Sequence, residues 1–306
     1  MNITIRAVLL GKRIADRIIN ENTGYTIVFT WESIGDQCLE LAYLREFRKR
    51  NNINRIAILT TKPNQALFKY FEGEFEKIIP INQKDFDTLL KFYKSDMGLF
   101  YRKKHPSLIC AFYTAYIRHD LLFDNPYVSL ADFVKMIYRI PKDADITPIK
   151  KIDNTEWINK LVNDGIVEPG KTILINPYAN SCKNIPMSFF TKLATELKRK
   201  GYKIITSVYG SQESVPGTIG LDFPLEKAVS LSESCGTVIG TRSGFLDLVA
   251  LSDTKVIALD RDDYNVADAC ILEQWWINNK RLKTFRYRQQ NELEVLNDVI
   301  NFVEEK

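Results

Sequence analysis

The sequence predicts an α/β protein built from two Rossmann-like, doubly wound domains that face a central cleft. Three observations lead there. Short apolar runs alternate with helix-spaced segments through both halves of the chain. The alternation lapses in the middle and restarts near Lys171. A polar Ser-Gly turn, Thr241 to Gly244, lies between an apolar strand and a helix, where free backbone N–H groups and the positive helix end suit an anion. Open sheets of this kind bind ligands beyond the carboxyl ends of their strands.

Each element has its own signal. Residues 1–22 set Ile3, Ile5, Val8, Leu9, Ile14, Ile18 and Ile19 against Arg6, Lys12, Arg13 and Arg17, a basic amphipathic helix. It suits packing on the first domain, or contact of its basic face with a membrane surface. Tyr25 to Thr30 and Arg55 to Thr60 are strands by their β-branched content, and Lys77 to Ile81 is a shorter one. Asp36 to Lys49 reads as one helix with Leu39, Tyr43, Leu44 and Phe47 on one side. Pro63 to Phe71 starts with proline in a first turn, and Asp85 to Tyr93 closes the series. Helical segments are expected around Ser107 to Phe123 and Leu130 to Tyr138. Ile140 to Ile149, with Pro141 and Pro148, reads as an extended linker. The expected domains are therefore 1–150 and 151–306.

In the second half a helix at Thr155 to Val162 precedes the turn Glu168-Pro169-Gly170. Thr172 to Asn176 and Tyr202 to Val208 are strands around a helix at Met187 to Lys200. Leu225 begins a helix, Thr237 to Gly240 is a strand, a helix follows Gly244, and Lys255 to Leu259 is a strand. Lys280 to Arg288 is a basic and aromatic stretch, and Leu293 to Val303 is the last helix.

The bulk properties bound the function. The chain has 306 residues, a net charge of +4 and 26% charged residues. That mild basicity suits an anionic ligand or surface and gives no case for nucleic acid. Five scattered cysteines (38, 110, 182, 235, 270) form no CxxC, and with two histidines no Cys/His metal site is expected. They read as reduced thiols of a cytoplasmic protein. No apolar run approaches the roughly 20 residues that span a bilayer, and no signal peptide is evident.

Candidate chemistry falls at the strand–helix loops. In Ser33-Ile34-Gly35-Asp36, Gly35 permits close approach or positive φ. Asp36 is either a helix cap or a general base that deprotonates a hydroxyl. Glu32 adds a second loop carboxylate. In the second half, Asn176 to Pro186 is a polar loop able to wrap a diphosphate, with Asn180 and Lys183 toward the phosphates. Arg242 is placed to grip phosphate, Ser243 and Gly244 to offer backbone donors, and Asp247 to complement the helix dipole or accept from a sugar. His105 is a structural or surface histidine, and His119, beside Asp120, is an acceptor-side candidate. Trp275 and Trp276 read as packing, or as a sugar-stacking surface. No DxD-like pair stands at a strand end; Arg261-Asp262-Asp263 comes after one.

Ile34-Gly35-Asp36 with Leu41 to Glu46, Asn176 to Asn180 with Lys183 and Ile185-Pro186, and Leu225 to Asp260 together resemble three motifs of the heptosyltransferase-like bacterial glycosyltransferases. That family has the GT-B architecture. The resemblance implies Asp36 as catalytic base, Lys183 at the donor phosphates, and Ser243-Gly244 on the donor diphosphate. It departs in the donor pocket. Arg242 stands where the family has aspartate, Asp247 where it has histidine, Asn176 for histidine and Tyr178 for glycine. The expected activity is inverting, metal-independent transfer of a sugar from a nucleotide-sugar to a hydroxyl of a glycan or lipid-linked glycan in cell-surface polysaccharide synthesis. No cofactor is expected, and the place of work is the cytoplasm or the inner face of the membrane. The rival readings are a nucleotide-sugar epimerase-like or phosphatase-like enzyme and a non-catalytic partner of another glycosyltransferase.

Overall fold

The computed structural model describes residues 5–30, 33–61, 64–110, 129–180, 182–261, 271–276 and 280–305. The chain divides into two compact units, Met1–Pro148 and Ile149–Lys306.

Unit 1 is a parallel four-stranded sheet. Its strands are β1 (Thr26–Phe29), β2 (Ile56–Thr60), β3 (Lys77–Pro80) and β4 (Leu108–Cys110), in the order β3-β2-β1-β4. The described helices are α1 (Ile5–Glu21), α2 (Ile34–Leu41), α3 (Leu44–Arg50), α4 (Gln65–Lys69), α5 (Gln83–Tyr93), α6 (Asp96–Lys104) and α7 (Leu130–Tyr138). Side-chain caps set several of their starts. Ser33, Asn64, Asn82 and Ser95 each accept from a first-turn amide, and Ser129 with Asp132 forms a capping box. The core joins Ile27 and Phe29 of β1 and Ala57 and Leu59 of β2 to Phe86, Leu89 and Tyr93 of α5 and Ile14, Ala15 and Ile18 of α1. At Gly11 a Cβ would collide with Phe92, so only glycine lets α1 lie this close to α5.

Unit 2 is a parallel six-stranded sheet in the order β10-β9-β8-β5-β6-β7. Its strands are β5 (Thr172–Asn176), β6 (Lys203–Val208), β7 (Ile219–Asp222), β8 (Gly236–Thr241), β9 (Lys255–Arg261) and β10 (Leu282–Tyr287). Its helices are α8 (Thr155–Asn163), α9 (Met187–Arg199), α10 (Ala228–Cys235), α11 (Gly244–Val249), α12 (Leu272–Trp275) and α13 (Glu292–Glu304). β5, β6, β8 and β9 carry the core with Phe189, Phe190, Leu193 and Leu197 of α9 and Val295, Val299 and Ile300 of α13. Counted within the unit, the strand order is the Rossmann order 3-2-1-4-5-6.

Several sequence expectations need correction. The segment expected as one helix from Asp36 to Lys49 is two helices, because the backbone of the buried Thr147 wedges at the break. Its amide donates to Ala42 O at 2.6 Å, and its hydroxyl accepts from Arg45 N at 3.3 Å. Leu108 to Cys110, expected helical, pairs with β1 as a strand; 111–123 of that expectation lie outside the described residues. Helix α6 and strands β7 and β10 had no counterpart among the expected elements. Cys38, Cys110 and Cys235 are buried and Cys182 is partly exposed, with no disulfide among them; Cys270 lies outside the described residues.

Candidate functional site

In each sheet, strand order reverses beside the first strand of the unit, the place where open sheets of this kind bind ligands at the carboxyl ends of the strands. In unit 1 this point is between β1 and β4; in unit 2 it is between β5 and β8. The sequence-chosen loops follow β1, β5 and β8.

Asp36 sits in the first turn of α2. The cap is Ser33, whose Oγ accepts from Asp36 N at 3.2 Å, so the cap role is filled by the serine and not by Asp36. Asp36 is half-buried. Gly35 is buried and helical, so it needs no positive φ. One turn further along α2, Glu40 is fully buried, and Tyr138 donates to its backbone oxygen at 3.3 Å. Glu32 and His119, with Asp120, lie outside the described residues.

In unit 2 the loop after β5 and the turn after β8 are stitched together. Asn176 Nδ2 donates to Ser243 Oγ at 3.1 Å and to Tyr178 O at 3.3 Å. Thr241 Oγ1 donates to Pro177 O at 2.7 Å. Gly240 makes this approach possible: a Cβ there would run into Asn176 O. The loop itself is folded back by Ala179 N donating to Asn184 Oδ1 at 2.8 Å and is pinned by the buried Ile185. Asn180 and Lys183 are exposed on it; Ser181 lies outside the described residues.

Ser243 is the extended N-cap residue of α11, and its side chain does not cap the helix. The first-turn amides of Gly244, Phe245 and Leu246 therefore have no intrahelical acceptor, and Ser243, Gly244 and Phe245 are partly exposed. α11 is six residues long, so an anion here would be held by these N–H groups more than by a long macrodipole.

Arg242 and Asp247 differ from expectation. The sequence offered Arg242 as a phosphate grip or a plain surface residue and Asp247 as a complement to the helix dipole or a sugar contact; the structure buries both and pairs them. Arg242 Nη1 lies 2.5 Å from Asp247 Oδ1, with side chains 6% and 3% exposed. The same nitrogen reaches Ser243 O at 3.4 Å, and the guanidinium stacks 4.5 Å from the Trp275 ring centre. Burial pushes the Asp247 carboxyl up, and Arg242 opposes that shift. The pair thus braces the turn from beneath.

Two features escaped the sequence reading. Asp260, near the end of β9, is 6% exposed, and its Oδ1 has no hydrogen-bond partner among the described residues. Burial pushes its carboxyl up to about 6, against the pull of Arg242 and Arg286. An acid closing an otherwise apolar strand was the available signal. Trp157, Phe223 and Phe245 form a row beginning beside the Gly244 turn, with ring centres 6.3 and 6.2 Å apart and Lys227 Nζ 4.4 Å over Trp157. Its members are far apart in sequence, so no local pattern reveals it. Trp275 and Trp276 are buried, as packing requires. Among the described residues no group of three His, Cys, Asp or Glu could hold a metal ion. Asp262 and Asp263 lie outside them. No described helix is long and apolar enough to cross a membrane.

The two parallel α/β units have the GT-B fold, as their likeness to solved glycosyltransferases over most of the chain shows. The chain is similar over 92% of its length to a glycosyl transferase family 9 protein of Veillonella parvula, covering 97% of that chain at 14% identity and TM-score 0.61. It matches E. coli ADP-heptose lps heptosyltransferase II over 90% of its length and 98% of that chain, at 14% identity and TM-score 0.61. An E. coli heptosyltransferase solved with ADP-2-deoxy-2-fluoro heptose aligns over 92% of this chain and 99% of its own, at 14% identity and TM-score 0.54. In fold, then, the chain is heptosyltransferase-like, as its three motifs led one to expect. No protein-family model and no curated protein sequence matches it.

Proposed function

We propose that this protein transfers a sugar from a nucleotide-sugar to a hydroxyl of a glycan or lipid-linked glycan, with inversion and without a metal. The observation that supports this reading is the stitched pair of loops at the β5/β8 switch point, one ending at the partly exposed first turn of α11 and the other carrying the exposed Lys183, so that a diphosphate there would meet backbone amides and a cation. Asn180 joins them, and Ser243 and Gly244 supply the close backbone. Arg242 and Asp247 hold the turn's shape, and the partly exposed ring of Phe245, met edge-on by Phe223, is an apolar candidate for contact with a nucleobase. Asp36 takes the acceptor's proton. The freed oxygen attacks the anomeric carbon as the bond to the diphosphate oxygen breaks, and the nucleoside diphosphate leaves with that electron pair. Developing charge on it is met by Lys183 and the Gly244 amides. Cell-surface polysaccharide synthesis at the inner face of the cytoplasmic membrane is the setting that fits such an acceptor.

A thermal-shift panel of nucleoside diphosphates and their sugar conjugates tests the donor half. A ligand at 100 times its Kd adds about 2.7 kcal/mol, a rise of about 4 °C if the whole chain melts together and about 8 °C if the binding unit melts alone. One diphosphate class is expected to stabilise the wild type and to lose that effect in Lys183→Ala. Turnover of a nucleotide-sugar with no acceptor present would move the reading to an epimerase-like enzyme. If no member of the panel shifts the melting point, the non-catalytic partner replaces it.

A further inference from the structure

Unit 1 carries a surface that glycosyl transfer leaves unused. The buried stripe of α1 is Gly11, Ile14, Ala15 and Ile18. At about 100° per residue, the opposite arc, roughly 140° wide, carries Ile5, Leu9, Arg13, Arg6, Arg17 and Leu10, with Asp16 and Asn20 between them. All six are exposed, with Ile5 at 81%, Leu9 at 47% and Leu10 at 44%. Arg17 is shared with Asp85 at 2.9 Å, whereas Arg6 and Arg13 make no ion pair among the described residues. Asp16 is engaged by Lys12 Nζ at 2.7 Å and by Tyr101 Oη at 2.7 Å. That tyrosine belongs to α6, which therefore lies alongside and adds exposed Phe100 (67%) and Met97 (44%). The exposed Lys103 and Lys104 follow on α6, with Lys103 Nζ 6.0 Å over the Phe100 ring.

Exposed leucine, isoleucine and phenylalanine interleaved with unpaired cations are costly in water and suit an interface that is apolar within and anionic at its rim. We propose that α1 and α6 form a docking face for an anionic lipid surface. α1 would lie in the interface plane with Ile5, Leu9 and Leu10 among the acyl chains and Arg6 and Arg13 at the headgroups. A second copy is a poor occupant, because a two-fold contact through this face gathers the Arg6 and Arg13 charges of both copies into one interface. The proposal goes beyond the transfer reading and stands without it.

The test is co-sedimentation of the full chain with vesicles of phosphatidylcholine alone and of phosphatidylcholine with phosphatidylglycerol, at low and raised salt. Binding is expected only to the anionic vesicles and is expected to weaken with salt. Arg6→Glu/Arg13→Glu is expected to weaken it by about tenfold or more. Leu9→Ser/Leu10→Ser is expected to abolish tight binding with the melting point unchanged, because both side chains are exposed. As a second readout, Leu9→Trp is expected to show a blue-shifted emission on adding anionic vesicles. Equal binding to neutral vesicles, no binding to either, or indifference to both double variants would overturn the proposal. So would a concentration-dependent dimer that Leu9→Ser/Leu10→Ser dissolves, since that assigns the face to a second copy. Asp36→Asn is expected to bind vesicles like the wild type, so failure of the transfer reading and of this one remain distinguishable.

Discussion

The two switch points occupy equivalent places in their sheets and handle charge in opposite ways. Beside β1, the carboxylate of Asp36 is half-buried in a first turn already capped by Ser33. Beside β8, Arg242 and Asp247 are almost wholly buried and bonded to each other. The first arrangement leaves the acid partly open to solvent, as the proposed base role requires. The second ties its charges to each other within the turn, so that on the proposed reading a donor would be met by backbone amides and the exposed Lys183. One carboxylate is thus accessible and the other is held in an ion pair.

That contrast can be broken by experiment. Asp36→Asn is expected to lower kcat by about 10²–10⁴-fold with donor affinity nearly unchanged, in keeping with loss of a general base. Steady-state rates with the donor found by thermal shift measure it, and full activity would remove Asp36 from the chemistry. Arg242→Met is expected to cost about 3–5 kcal/mol of stability, because it leaves Asp247 buried without its partner. Arg242→Met/Asp247→Leu is expected to regain most of that. Denaturation midpoints decide, and equal losses in the two variants would mean that the pair does not brace the turn.

Asp260 sharpens the comparison through pH. Its folded value, about 6, lies above its ordinary 3.8, so the native state holds that proton more tightly than the unfolded chain does. Stability from this group is present below about pH 4 and is lost as pH rises through about 6, by an amount on the order of 1–3 kcal/mol. Asp260→Asn is expected to flatten that part of the stability–pH curve and to gain on the wild type most at neutral pH. An unchanged curve would show that Arg242 and Arg286 already compensate the charge. The smallest effect belongs to the other switch point: Ser33→Ala is expected to cost about 1 kcal/mol through loss of the α2 cap, seen as a lowered melting point.

Much of the fold was legible. The apolar runs of β1, β2, β5, β8 and β9 and the spacing of α5, α7, α9 and α13 were readable because those elements bury whole faces in their own unit's core. The edge strands β7 and β10 were not. An edge strand can carry Gly220, Asp222, Lys283 and Arg286 and still be a strand, because its neighbour supplies the ladder. Leu108 to Cys110 is too short for its period to show, and β1 recruits it. The positions of Asp36, Lys183 and the Ser243-Gly244 turn followed from strand–loop–helix order. The engagement of Arg242 did not, since its face partner, Trp275, is 33 residues away.

The sequence by itself determined the α/β alternation, the chemical character of the loops and the amphipathic pattern of α1, because each is written in residues a few positions apart. Only the tertiary structure decided that Thr147 splits a helix, that Gly240 lets β8 close on Asn176, and that Arg242 turns inward to Asp247 and Trp275. Those outcomes depend on groups brought together by strand pairing and burial. Desolvation then sets which charges must be paired and which remain at the surface.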